Sequence, residues 1–87
     1  MTMRKFTKED GTDWIATARE EATPRHHGRW YLVFHPDGEG AATYPMEEVR
    51  WQTFQSAERT ISTMSLFELR KRLDAALARA PLEPPAG

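Results

Sequence analysis

The sequence predicts an α+β domain: an antiparallel β-sheet of three to five strands, then a short helix and a longer C-terminal helix packed on one face. Three observations carry this. Met64-Ser65-Leu66-Phe67-Glu68-Leu69 is a complete helix start, in which Ser65 caps, Glu68 reaches back from the third helical position and Met64 staples onto Leu69. Upstream, apolar and aromatic residues alternate with a period of two. Turn residues punctuate those runs at Asp10-Gly11 and Pro36-Asp37-Gly38.

Residues 4–7 form a short first strand and Lys8-Glu9-Asp10-Gly11 a turn, with glycine at the positive-φ position. The returning strand runs from Thr12 to about Glu20. Trp14, Ala16 and Ala18 share its core side, and Asp13, Ile15, Thr17 and Arg19 the other. Ala22 to Gly28 is a loop, polar in the middle through Arg25-His26-His27. Arg29 to His35 is the strongest strand, because nearly every residue is aromatic or β-favouring. Trp30, Leu32 and Phe34 share one face and Tyr31, Val33 and His35 the other. Both faces are apolar or amphipathic, which marks a central strand.

After the turn at His35 to Gly40, the pattern predicts a short strand from Ala41 to Tyr44, ended by Pro45. Another follows over Glu48 to Phe54, with Val49, Trp51 and Thr53 alternating against Arg50 and Gln52. Ser56 caps a short helix running to about Met64, with Ala57, Ile61 and Met64 at helical spacing. The final helix runs from Leu66 to about Ala80. Leu66, Leu69, Leu73, Ala76 and Ala80 make its apolar stripe, Leu77 widens it and Pro81 stops it. Residues 1–80 are thus one small domain, and 81–87 a Pro-rich disordered tail.

Composition narrows the function classes. The chain has 87 residues and no cysteine, which excludes disulfides, thiolate chemistry and thiol–zinc sites. A small domain without disulfides fits the cytoplasm. No apolar run approaches the ~20 residues of a membrane helix, so membrane insertion is not expected. Twelve Lys and Arg face thirteen Asp and Glu, and the formal net charge of −1 lacks the basic excess of a general nucleic-acid binder.

The motifs point away from catalysis. Adjacent His26 and His27, with His35, match neither the i, i+4 nor the i, i+2 spacing of metal pairs, so no metal is expected. Asp37-Gly38-Glu39-Gly40 lacks the ligand spacing of a calcium loop, since Ala42 stands where that loop requires glycine. No Gly-x-Ser-x-Gly or phosphate loop occurs, and no carboxylates are spaced as an acid–base pair. An enzyme is therefore not expected, and no cofactor is implied.

The segment Trp51-Gln52-Thr53-Phe54-Gln55-Ser56-Ala57-Glu58, with its preceding strand, resembles a strand-to-helix turn of three-stranded-sheet-plus-helix domains of the plant ethylene-response and phage-integrase arm-binding types. Those domains lay the sheet in the DNA major groove, so the resemblance implies nucleic-acid binding. The electroneutral composition departs from that pattern.

Two expectations for function follow. The first is a non-catalytic protein-interaction module, an accessory subunit or regulator, binding a protein partner or a second copy through an open sheet face or an edge strand. With the helices on the Trp30, Leu32 and Phe34 side, Tyr31, Val33, His35 and Ile15 look outward, and Arg19 lies near them, a composition that suits an interface. Arg25 and Arg29 add a basic cluster for an acidic partner. The second is a nucleic-acid-binding regulator using Arg25, Arg29, Arg50 and Tyr31.

Overall fold

The computed structural model describes residues 3–21, 29–38 and 42–79. Four strands, β1 (Met3–Thr7), β2 (Asp13–Glu20), β3 (Trp30–Pro36) and β4 (Tyr44–Trp51), precede two helices, α1 (Phe54–Thr63) and α2 (Leu66–Arg79). The sheet is antiparallel with order β1-β2-β3-β4, so β2 and β3 are interior and β1 and β4 are edges. The α+β architecture matches the expectation. The expected loop at 22–28, its two histidines and the tail at 81–87 lie outside the described residues.

The β1–β2 turn is built by its sequence. The Lys8 N–H donates to the Thr12 carbonyl at 2.8 Å, and the Gly11 N–H donates to the Lys8 carbonyl at 2.9 Å. Gly11 sits at φ 91°, in the left-handed region, which makes this a three-residue hairpin closed by a glycine bulge. Asp10 accepts from the Thr12 N–H at 3.0 Å and the Thr12 hydroxyl at 2.6 Å. The Thr12 hydroxyl bond is the main reason the Asp10 carboxyl lies below the usual carboxylate range. The Thr12 hydroxyl oxygen accepts in turn from the Trp14 indole at 2.9 Å, so the turn also fixes a core side chain.

β4 corrects the reading of two strands. Tyr44 to Trp51 is one strand, interrupted by a bulge where Tyr31 pairs with Arg50 but Leu32 pairs with Met46. The apolar alternation shows why. Tyr44 and Met46 are even-numbered, Val49 and Trp51 odd-numbered, and all four belong to or pack against one core. Extra residues must be absorbed between them, or one pair would turn to the other face. Pro45 does not end the strand, because an edge strand can do without one N–H.

α1 begins earlier than expected. Thr53, not Ser56, is its cap: the Thr53 hydroxyl oxygen accepts from the Ser56 N–H at 3.1 Å. Phe54 is therefore helical and packs against Trp30, with ring centroids 5.0 Å apart and the planes tilted by 56°. α2 starts where Ser65 places it, with the Glu68 N–H donating to the Ser65 hydroxyl at 3.1 Å. Glu68 pairs with Arg72 at 2.6 Å.

Both helices cover the Trp14, Ala16, Leu32 and Phe34 face. Leu32, Phe34, Ile61, Leu69 and Leu73 have no exposed surface. Phe6 meets Phe34 edge-on at 6.0 Å, and Trp14 meets Tyr44 edge-on at 5.7 Å. Leu66 departs from the expected stripe and is 42% exposed. Arg4 and Arg70 tie β1 to the helix joint. Arg4 donates to the Ser62 carbonyl at 2.9 Å and the Ile61 carbonyl at 3.4 Å, and Arg70 Nε donates to the Thr7 carbonyl at 2.9 Å. Lys8 pairs with Asp74 at 3.4 Å, and Arg79 pairs with Glu48 of β4. α2 therefore spans the sheet from the β1–β2 turn to β4.

Candidate functional site

Two surfaces are candidates: the sheet face turned away from the helices, and the outer edge of β1. On the sheet face, register brings Ile15 beside His35, Thr17 beside Val33 and Arg19 beside Tyr31. The sequence therefore places these residues on the correct face. Their availability is different. Val33 is fully buried and Ile15 is buried, so neither offers contact area. Val33 lies on an interior strand, with Thr17 and Pro45 across from it and the taller Tyr31 and His35 along it. Those neighbours stand higher than a short branched side chain. Tyr31 and His35 are half-buried, and the His35 Nδ1 lies 3.1 Å from the Pro36 carbonyl oxygen.

The cations of this face are mostly engaged. Arg50 makes a forked pair with Glu21, at 3.1 Å and 3.4 Å, and lies over the Tyr31 ring at 5.5 Å. Arg29 lies 3.6 Å from Glu20. Lys5 pairs with Asp37 at 2.8 Å, and its hydrogen bond to that carboxylate raises the Lys5 pKa. Arg19 is exposed, and Arg25 lies outside the described residues. Among the described residues no three His, Asp or Glu side chains come together as a metal site. No helix among them is long and apolar enough to cross a membrane.

The two edges of the sheet differ. β4 carries Pro45, a bulge and the adjacent carboxylates Glu47 and Glu48, all features that discourage another strand from pairing. β1 has neither proline nor bulge, though Arg4 and Lys5 give it two cations. The exposed large hydrophobic side chains among the described residues are Met3, Leu66 and Phe67, at 59%, 42% and 75%. Met3 opens β1. Leu66 and Phe67 lie on the helix joint between Ser62, held by Arg4, and Arg70, which holds Thr7. Between β1 and α1 runs a groove of about 770 Å³, lined by Met3 and Arg4 of β1 and by Gln55, Glu58, Arg59, Ile61 and Ser62 of α1.

The sequence reading missed Met3, Arg59 and Phe67. Phe67 left a usable signal: it stands beside Leu66 but off the Leu69, Leu73 and Ala76 stripe, an aromatic on the polar side of an amphipathic helix. Arg59 and Met3 left none, because only the fold brings α1 against β1. Comparison with known protein families, curated proteins and solved structures finds no match to this chain.

Proposed function

We propose that this chain is a small non-catalytic protein-interaction module, an accessory subunit or regulator, and that it binds along the β1 edge rather than over the open sheet face. The observation that carries the reading is the coincidence of two exposed features. The edge without proline or bulge is also the edge bordered by Met3, Leu66 and Phe67. Exposed apolar groups beside an unpaired strand suit a surface that another chain covers. The sheet face supports binding less well, because Ile15 and Val33 are buried there. Nucleic-acid binding draws little support, since Arg29 and Arg50 already face carboxylates. A domain of this size without cysteine suits a reducing compartment, and we place it in the cytoplasm.

Photo-cross-linking in cells tests the edge against the face. A photoreactive residue at Leu66 or Phe67 should give adducts of discrete mass, while one at Arg19 should give none. Adducts from Arg19 alone, or from no position, would overturn the proposal.

A further inference from the structure

We infer that the β1 edge accepts an extended segment of another protein as a fifth strand, and that this segment turns an acidic residue toward α1. The inference rests on the reading of the edge as the binding surface and adds the chemistry of what binds there.

Pairing parity gives the first argument. Lys8 and Thr12 are a hydrogen-bonded pair at the turn. Bonded and non-bonded pairs alternate along an antiparallel ladder, so Phe6 with Trp14 and Arg4 with Ala16 are the bonded pairs of β1. The N–H and C=O groups of Met3, Lys5 and Thr7 therefore point off the sheet. The Thr7 carbonyl is taken by Arg70. Among the described residues no hydrogen bond reaches the edge groups of Met3 and Lys5. Donors and acceptors repeating every second residue fit the backbone of an extended chain.

Charge gives the second argument. On the groove wall, Arg4 is engaged by the Ile61 and Ser62 carbonyls, and Glu58 has a partner of its own. Arg59 is exposed and forms no ion pair among the described residues. An added strand presents alternate side chains to the helix side. Toward the Met3 end such a side chain meets Arg59, where a carboxylate is complementary.

The same parity disfavours a second copy. In a two-fold antiparallel pair centred on β1, residues of like parity face one another, and the axis falls on Arg4, Lys5 or Phe6. The first two set a cation opposite itself and the third sets Arg4 opposite Lys8, which destabilises the pair. The occupant is therefore a segment of different sequence.

The test uses capped seven-residue peptides: one alternating valine and glutamate, one alternating valine and lysine, and the glutamate peptide N-methylated at alternate residues. Fluorescence anisotropy reads affinity, amide hydrogen exchange reads the Met3 and Lys5 N–H groups, and light scattering reads the oligomeric state. We expect the glutamate peptide to bind about tenfold more tightly than the lysine peptide and to slow exchange at those two amides. Arg59→Glu should invert the preference. N-methylation of the peptide should abolish binding, and so should Lys5→Pro, which leaves the β1–β2 ladder intact because the Lys5 N–H points outward. The N-methylated peptide decides the backbone question even where the proline variant is poorly folded.

Equal binding of both charged peptides would overturn the acidic preference while leaving the edge reading in place. A dimer that becomes monomeric on Lys5→Pro, with no peptide bound, would overturn the occupant and again leave the edge in use. No peptide binding by a strict monomer would overturn the added strand, and cross-linking from Leu66 and Phe67 then decides separately whether the edge is used at all.

Discussion

Glu48 stands where β4 meets the end of α2. The Arg79 guanidinium, through its hydrogen bond, holds the Glu48 carboxyl below the usual carboxylate range. A carboxyl lowered in the folded state contributes stability above its unfolded pKa of about 4.3, and that contribution is lost as pH falls through the folded value. Asp10 acts in the same direction through Thr12. The thermal midpoint should therefore fall in acid, and Glu48→Gln should flatten part of that fall while changing neutral stability by no more than about 1 kcal/mol. Melts from pH 7 to pH 2 check this, and an unchanged acid limb would refute it. Lys5 works at the other extreme. Its pKa is raised, so its pairing with Asp37 holds below the unfolded lysine value and is lost as pH rises through the folded one. Gly11, at φ 91°, has open space where a Cβ would stand, so only the backbone resists a side chain there. Gly11→Ala should cost about 1–2 kcal/mol by denaturant unfolding.

Helix starts and strand phase decide how the elements form. Thr53 and Ser65 each accept a hydrogen bond at the third helical position. Removing either hydroxyl by alanine substitution should cost about 1 kcal/mol, measured by chemical denaturation. Ser56→Ala should cost less than Thr53→Ala, since Ser56 lies inside α1. The reverse order would return the cap to Ser56. Ser65 was legible because Met64, Glu68 and Leu69 all agree with it. Thr53 was not, because strand-favouring Trp51 and Phe54 flank it and no Glu or Gln stands three residues on. β4 was misread for a related reason. A change of alternation phase looks the same on paper whether the chain breaks or bulges, and only pairing with β3 selects the bulge. The interior strands raised no such conflict, since Trp14, Ala16, Leu32 and Phe34 keep one phase throughout.

At the scale of the molecule, burial separates what holds the fold from what the fold displays. Leu73→Ala should cost about 2–5 kcal/mol, whereas Phe67→Ser should stay within about 0.5 kcal/mol, both by denaturant unfolding. A large loss from Phe67→Ser would make that ring structural. The outward side of β3 was legible in the sequence, yet its burial was not, because alternation assigns a face and says nothing of the height of neighbouring side chains. The β1 edge was illegible for the opposite reason: its parts are far apart in the chain. Arg4 reaches carbonyls 57 and 58 positions later, and Arg70 reaches one 63 positions earlier. That separation has a consequence during synthesis. The ribosome delivers about 5–20 residues per second, N-terminus first. The first hairpin emerges with its tryptophan uncovered and waits on the order of seconds for the helices that shield it. Until the last turn of α2 clears the exit tunnel, the apolar face of the newborn sheet stays open to solvent.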